Sequence, residues 1–314
     1  MKGLQLELRE YLAVRRSLGF ELQNPARLLR NFVEFVEREG ASYVTSDLAL
    51  RWATQSVHAQ PATRAARLGV VRRFASWCHA SDPRTEVPPP GLLPHRYRRK
   101  RPYIYSDDEI EKIVAAARRL TSPKGLRAQT HSTVFGLLAV GGLRVSEAVA
   151  LDRRDVDLDE GILSIRRTKF GKSRLIPVHP STKDALAAYA ECRDRIFRGP
   201  FTEAFFISER GTRITGGSTR CNFAKVSREI GLRTTAGGRH GTGPRLHDMR
   251  HRFAVRTLLD WYRAGLDVER ELPKLATYLG HVHVNESYWY LEAVPELLAL
   301  ATERLVDGHK EAGA

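Results

Sequence analysis

Residues 246–251 read Leu-His-Asp-Met-Arg-His (LHDMRH), and this stretch constrains the chain more than any other. It opens a segment with helical periodicity, so His247 and Arg250, three positions apart, lie on the same side of a helix. An arginine can hold two oxygens of an anion while a neighbouring imidazole transfers a proton. Such a pair also arises by chance in many helical proteins, so its meaning depends on the motifs that accompany it.

One accompanying motif lies about a hundred residues upstream. Residues 142–147 (GLRVSE) follow an apolar helical segment, and Glu147 stands three positions after Arg144. At that spacing the carboxylate can hold the arginine rigidly at the helix end. By itself, an arginine after glycines most often makes a surface ion pair.

A second motif is a predicted β-hairpin. Residues 162–167 and 174–178 are short segments rich in β-branched side chains, and the turn between them is marked by Gly171. Lys169 and Lys172 lie at its tip. The tip of a hairpin can enter a groove, although lysines at such positions are common.

The last motif follows LHDMRH. Residues 279–281 (LGH) resemble a helix end followed by a histidine, and Tyr288 and Tyr290 come shortly afterwards. Each of these motifs has an ordinary structural explanation when taken alone. Their order along one chain, and the chemistry that they provide together, changes that assessment.

As an ordered set, these motifs resemble those of the tyrosine recombinase (phage integrase) family. The resemblance covers about residues 103–306. Within the family, the chain resembles the compact, two-domain type of recombinase or transposase. It implies a mainly α fold with a small antiparallel β-sheet in an α+β catalytic domain. It also implies a two-domain, C-shaped clamp around duplex DNA, and a site-specific recombinase that acts through a 3′-phosphotyrosyl intermediate in integration, transposition or resolution.

The resemblance also implies roles for individual residues. Arg144 and Arg250 correspond to the two arginines that hold the nonbridging oxygens of the scissile phosphate, as planar bidentate donors do well. His247 corresponds to an acid/base helper of the tyrosine, and His281 to a donor to the phosphate. Glu147 corresponds to the acidic residue that supports the first arginine.

The catalytic lysine has two candidates in TKFGKSR. The resemblance favours Lys169, which would protonate the leaving 5′ oxygen, because the family's lysine usually comes first in such a run. Lys172 remains the competitor.

The nucleophile also requires a choice. Tyr288 and Tyr290 are two positions apart, so on a helix they point roughly 200° apart and cannot both face one phosphate. The family usually places its tyrosine nine residues after the LGH histidine, and this spacing selects Tyr290. A phenol with a pKa of about 10 needs neighbouring cations and a proton acceptor to attack at neutral pH.

Bond energy is kept in a phosphotyrosine, so the resemblance implies neither ATP nor a metal. The sequence has no P-loop motif and no clustered carboxylates of the two-metal type, and we expect no cofactor. Two alternatives share parts of the pattern. A type IB topoisomerase-like relaxase has the same Arg, Lys, Arg, His and Tyr set, and a noncatalytic DNA-binding regulator could keep the fold.

The rest of the chain predicts a second domain. Residues 1–82 alternate apolar helical stripes with helix-start signals, which predicts a four-helix core-binding domain of the DNA-binding kind. Residues 83–102 are rich in proline and then basic, which predicts an extended linker. Residues 103–314 form the predicted catalytic domain, ending in an amphipathic helix near 291–307.

Clustered basic residues mark candidate contacts with the DNA backbone. They lie on the predicted fourth helix and in the linker, and are Arg64, Arg67, Arg72, Arg73, Arg98, Arg99 and Lys100. A solvated helix face is the simpler explanation for those on the helix. Base contacts could also come from residues around 216–228.

Composition agrees with a polyanionic partner. Lys and Arg number 51 against 36 Asp and Glu, giving a net charge of +15. Such a surplus favours a polyanionic partner, because each neutralised phosphate releases counterions, but a generically basic soluble protein would carry the same charge. Three scattered cysteines indicate a reducing compartment, and the first twenty residues lack the apolar core of a signal peptide.

We therefore expect a cytoplasmic, nucleoid-associated protein with no membrane contact. The apolar face of the C-terminal helix could pack within its own protomer. By resemblance, it instead docks on a neighbouring protomer in a homotetramer on two DNA sites, and a monomer or dimer occupies one site.

Overall fold

The computed structural model describes residues 3–57, 59–95, 101–166, 173–199, 202–234 and 243–281, together with residues 283 and 290. The chain divides into two compact units, Met1–Lys100 and Arg101–Ala314. Several predicted features lie outside the described residues. They are Lys169, Lys172, Arg98, Arg99, Lys100, Tyr288 and the C-terminal helix.

The N-terminal unit contains four helices among its described residues. They are α1 (Leu4–Ser17), α2 (Gln23–Arg38), α3 (Ser46–Thr54) and α4 (Pro61–His79). Their apolar stripes form one core, in which the rings of Phe32 and Trp52 meet edge to face at 5.3 Å. Pro61 begins α4 as predicted, because proline already has the φ of a first helical turn.

Part of the segment that was predicted to be a linker packs on this unit. The Glu86 N–H donates to the Val44 carbonyl over 2.8 Å, and Leu93 packs against the core. Thr85 is buried. The prolines thus give an extended path that still makes specific contacts with the helices.

The C-terminal unit is mainly helical. Its described helices are α5 (Asp107–Arg118), α6 (Leu126–Gly141), α7 (Val145–Ala150), α8 (Pro180–Ile196), α9 (Gly216–Glu229), α10 (Leu246–Arg263) and α11 (Val268–Leu279). The predicted capping box is present, since Ser106 Oγ accepts from the Glu109 N–H and Glu109 accepts from the Ser106 N–H. Buried α6 lies at the centre and contacts α5, α8 and α10.

A small antiparallel sheet completes this unit. Its strands are β1 (Val156–Asp157), β2 (Ile162–Ile165) and β3 (Arg174–Pro177), in the order β1-β2-β3. Leu163 pairs with Ile176, and both are buried against the core. The predicted fold class, mainly α with a small antiparallel sheet, is confirmed. The short strand β1 was not predicted, because two residues give no periodicity.

Candidate active site

The C-terminal end of α11 lies at the centre of the candidate site. Its last carbonyls have no partner within the helix, and the helix dipole makes this end negative. Three arginines from other elements donate to three consecutive carbonyls there. Arg174 Nε donates to Tyr278 over 2.6 Å, Arg250 Nη2 to Leu279 over 2.5 Å and Arg144 Nη2 to Gly280 over 3.1 Å.

Glu147 provides the counter-charge for two of these arginines. Its side chain is 5% exposed, and Arg144 Nη1 donates to Oε1 over 2.8 Å. Arg174 Nη2 donates to Oε2 over 2.8 Å. Burial alone would raise the pKa of Glu147, but the hydrogen bonds from Arg174 and Arg144 outweigh burial and hold that pKa below its ordinary value. The predicted pairing of Arg144 with Glu147 is thus present, and the carboxylate is ionised at neutral pH.

Gly280 makes the close approach of the arginines possible. It ends α11 in the left-handed region, with φ +66°, which glycine adopts without strain. A Cβ at this position would lie 2.8 Å from Arg174 Nη1 and 3.5 Å from Arg144 Nη1. The glycine of LGH therefore provides space for two guanidinium groups.

Arg250 is the most buried of the three arginines, with 2% of its surface exposed. Its Nη1 donates to the Gly142 carbonyl over 2.9 Å, so α10 is tied to the turn before α7. Burial lowers the pKa of Arg250 to about 10, and nearby Tyr290 acts in the opposite direction. The group remains cationic at neutral pH and lies close enough to Tyr290 to interact with a negative charge on its phenol oxygen.

Tyr290 lies between two histidines and is 4% exposed. Its ring stacks on His281 at 6.0 Å between centroids and 20° between planes. The His251 ring lies 5.5 Å away on a tilt, and it meets His247 edge to face at 4.8 Å. A continuous row of rings thus connects His247 with the tyrosine that the spacing selects.

The histidines of α10 are in an environment that disfavours their charged forms. His247 is exposed at the surface, yet partial burial of its ring, followed by the charges of Arg250, Arg245 and Arg144, lowers its pKa to about 4. Burial, followed by the charge of His247, lowers the pKa of His251 to about 3. Both imidazoles are neutral at neutral pH and can accept a proton.

A basic cleft of about 470 Å³ opens beside these groups. His247 lies in its wall, together with Arg144, Arg220, Arg233 and Arg245. Arg245 stands at the N-cap of α10, where its side chain makes no capping hydrogen bond and is 53% exposed. The residues that α9 contributes to this cleft lie within the range, 216–228, in which the sequence suggested base contacts.

Three of the four predicted DNA-contact arginines of α4 have partners within their own unit. Arg64 Nη2 donates to the Val57 carbonyl over 2.7 Å, and Arg72 Nε donates to Pro88 over 2.6 Å. Arg67 donates to the Trp52 carbonyl and lies 4.2 Å above its ring, while Arg73 is exposed. Their contact with DNA stays a prediction.

Sequence reasoning missed a basic groove in the N-terminal unit. Its volume is about 680 Å³, and Arg27 and Arg30 of α2 line it with Arg67. The spacing of Arg27 and Arg30 places them on one face of α2, which is a signal that the sequence did contain.

Two residues of the site itself were also missed. Arg174 appeared only as the last letter of the hairpin run, and His251 only as the last letter of LHDMRH. His251 had a usable signal, because it lies one helical turn after His247. Arg174 had none, since its partners are far away in the sequence.

Among the described residues, no cluster of three or more His, Cys, Asp or Glu side chains is suited to hold a metal ion. Within the same residues, no helix is both long and apolar enough to cross a membrane.

Comparison with known proteins agrees with the motifs. The sequence profile of the phage integrase family matches residues 104–296. The integrase/recombinase-type protein y4rB of Sinorhizobium fredii is 46% identical over 310 residues, 97% of this chain and 98% of that protein. Tyrosine recombinase XerD of Caulobacter vibrioides is 30% identical over 241 residues, 76% of this chain and 73% of that protein.

Solved structures share the fold. The integrase of transposon Tn1549, in complex with transposon right end DNA, has a TM-score of 0.59 at 16% identity and covers 96% of this chain and 99% of its own. A lambda integrase dimer bound to a core site has a TM-score of 0.58 at 17% identity. The match covers 92% of this chain and 77% of the lambda integrase chain.

This protein belongs to the phage integrase family and is a tyrosine site-specific recombinase.

Proposed function

We propose that this recombinase cleaves and rejoins double-stranded DNA with Tyr290 as its nucleophile. The observation that carries the proposal is the position of Tyr290, buried between His251 and His281 and close enough to Arg250 to affect its pKa. The phenol oxygen attacks the scissile phosphorus, a 3′-phosphotyrosine bond forms and the 5′ oxygen leaves with a proton. Attack by a 5′ hydroxyl on the same bond reverses the step and rejoins a strand.

Arg144 and Arg250 hold the phosphate in this proposal. Both are fixed by backbone carbonyls at the end of α11, so little reorganisation is needed when negative charge develops in the transition state. His281 follows directly after Gly280 and donates to the same phosphate. Glu147 fixes Arg144 and leaves it partly exposed, with 24% of its side chain open to solvent.

Proton transfer from the phenol needs a neutral base. His247 is the base that the sequence suggests, and its low pKa keeps it neutral until the phosphate arrives. His251 lies against the Tyr290 ring and extends the path to His247. Lys169 is proposed as the group that protonates the leaving oxygen, and Lys172 is the alternative.

Double-stranded DNA is the proposed partner. The basic cleft beside His247 would carry the backbone next to the scissile phosphate, and the charge of +15 supports a polyanion. We propose that protomers bind singly or in pairs at one site and assemble as a homotetramer on two. Similarity to a lambda integrase tetramer bound to a Holliday junction supports that assembly.

A nicked suicide substrate tests the reaction. The recombinase is incubated with DNA that carries the ends of its own genetic element, and the products are separated on a denaturing gel. We expect a covalent protein–DNA adduct from the wild type and none from Tyr290→Phe. Absence of an adduct from the wild type on every such site would contradict the proposal.

Tyr288→Phe is the matched control. It removes a phenol two positions away and should keep adduct formation. An adduct that persists in Tyr290→Phe and disappears in Tyr288→Phe would instead make Tyr288 the nucleophile.

A further inference from the structure

Arg174 is the third arginine at the end of α11, and the proposed mechanism gives it no role. We propose that Arg174 is a positioning residue that holds Glu147, and through Glu147 holds Arg144, in the geometry needed for phosphate binding. This inference rests on the proposed function, because Arg144 must be a phosphate ligand for its position to matter.

The contacts of Arg174 indicate that it does not reach the DNA itself. Its side chain is 10% exposed, and each guanidinium nitrogen donates to the protein. Nε donates to the Tyr278 carbonyl over 2.6 Å, Nη1 to Glu147 Oε1 over 3.2 Å and Nη2 to Glu147 Oε2 over 2.8 Å. The planar fork therefore clamps both oxygens of one carboxylate while it is anchored to α11.

This clamp fixes Arg144 by geometry. The Oε1 atom that Arg174 holds also accepts from Arg144 Nη1, and Oε2 accepts from the Arg144 backbone N–H over 3.0 Å. Without Arg174 the carboxylate could rotate about its side-chain bonds and carry Arg144 with it. Displacement of a catalytic group by about 1 Å can slow a reaction by about 100-fold.

Arg174 also affects the charge that Arg144 presents. One buried carboxylate is shared between two guanidinium groups, so the pair of arginines keeps a net positive charge beside the cleft. If Arg174 were absent, Glu147 would compensate Arg144 alone and weaken its attraction for a phosphate. Loss of Arg174 would thus weaken phosphate binding by Arg144 in two ways, by displacing it and by offsetting its charge.

A double-mutant cycle tests the inference. Single-turnover adduct formation is measured at saturating suicide substrate for the wild type, Arg174→Lys, Arg144→Lys and the double variant. Lysine keeps the charge of Arg174 but cannot clamp two oxygens and a carbonyl together. We expect Arg174→Lys to slow cleavage by about 10- to 100-fold, with DNA affinity little changed.

The double variant carries the decisive result. If Arg174 acts through Arg144, the double variant should cleave about as slowly as Arg144→Lys alone, because the second change has nothing left to misplace. Losses that multiply, or a rate for Arg174→Lys equal to that of the wild type, would overturn the inference.

Arg193→Lys is the matched control. Like Arg174, Arg193 is buried in the same unit, where it donates to both oxygens of one carboxylate (Asp194) and to one carbonyl (Phe205), and these three hydrogen bonds involve neither Arg144 nor Glu147. Its replacement should leave the cleavage rate constant unchanged.

A loss of stability in a variant can be distinguished from slower cleavage. At saturating DNA a lower folded fraction reduces the amplitude of adduct formation and leaves its rate constant unchanged. If Arg174→Lys gives too little folded protein, Arg174→Gln replaces it in the same cycle. Failure of the proposed function would appear differently, as an absence of adduct from the wild type itself.

Discussion

In each unit of this recombinase, one set of three arginines donates to backbone carbonyls, but the two sets have different consequences. On α4, Arg64, Arg67 and Arg72 each bond a different stretch of the N-terminal unit, at residues 56–57, 52 and 88–89. At the end of α11, three consecutive carbonyls accept from Arg174, Arg250 and Arg144. Two of these arginines, Arg144 and Arg174, also bond the buried carboxylate of Glu147.

The two sets differ in whether their arginines converge on one place in the structure. Dispersed arginines connect helices to loops and add stability, and their charges do not combine. Converging arginines would repel one another, so they need a helix C-terminus and Glu147 to offset that repulsion. The arrangement produces a fixed positive site beside Tyr290. Replacing an arginine of one set should therefore affect a different property from replacing an arginine of the other.

The largest expected effect is on cleavage. Arg144→Ala should lower the single-turnover rate of adduct formation by about 100-fold or more, because a preorganised donor to the transition state is lost. Arg72→Ala should leave that rate unchanged at saturating DNA and lower the midpoint of thermal unfolding instead. Equal rate losses in the two variants would remove the distinction between the units.

Glu147→Gln should have the largest effect on stability. An amide of the same shape leaves Arg144 and Arg174 without their anion, so we expect the free energy of unfolding to fall by roughly 3 kcal/mol. Urea denaturation at neutral pH measures this change. Glu209→Gln is the control, because Glu209 accepts from a serine hydroxyl and backbone N–H groups and not from buried guanidinium groups. A larger loss for Glu209→Gln would contradict the account.

Gly280→Ala should have a smaller effect on stability, and Gly265→Ala is its matched control. Both glycines follow helices with positive φ, +66° and +74°, so each alanine costs about 1 kcal/mol in the left-handed region. The Cβ at Gly280 meets arginine atoms, whereas no atom of the residues that the structure describes lies within 4 Å of the one at Gly265. Gly280→Ala should also slow cleavage, which the suicide substrate measures, and Gly265→Ala should not.

The smallest expected effect is a pH dependence of stability. The folded pKa values of His247 and His251, about 4 and about 3, lie below the unfolded value of about 6.5. The unfolded chain then binds more protons, so the free energy of unfolding falls as the pH drops from about 6.5 towards 4. Exposed surface on His247 and screening by solvent reduce this contribution.

His251→Gln should reduce the difference in stability between neutral and mildly acidic pH, as measured by urea denaturation at both. The predicted direction of the pH dependence would be wrong if the wild type were more stable at pH 5 than at pH 7 and His251→Gln reduced that difference.

Local features of the site could be predicted from the sequence. The pairing of Arg144 with Glu147 follows from a spacing of three residues, and Gly280 at a helix end follows from the LGH pattern. The Tyr290 ring lies beside the His281 ring, and the choice of Tyr290 over Tyr288 stays a prediction. Such features depend on contacts within a few residues along the chain, which periodicity and capping rules describe.

The convergence itself could not be predicted. Arg174 and the Tyr278 carbonyl are 104 residues apart, and Arg144 and the Gly280 carbonyl are 136 apart. No local rule relates residues so distant, because their contact depends on how α7, β3 and α11 pack around α6 and α10. The partners of Arg64, Arg67 and Arg72 were missed for a similar reason, since a charged helix face in a sequence does not reveal which loop covers it.

The most direct test of the central claim is to locate the covalent bond. The adduct formed on a suicide substrate is digested with protease and nuclease, and the modified peptide is sequenced by tandem mass spectrometry. We expect a phosphodeoxynucleotide on Tyr290 in the wild type. A modification on Tyr288, or on any residue other than Tyr290, would contradict this expectation.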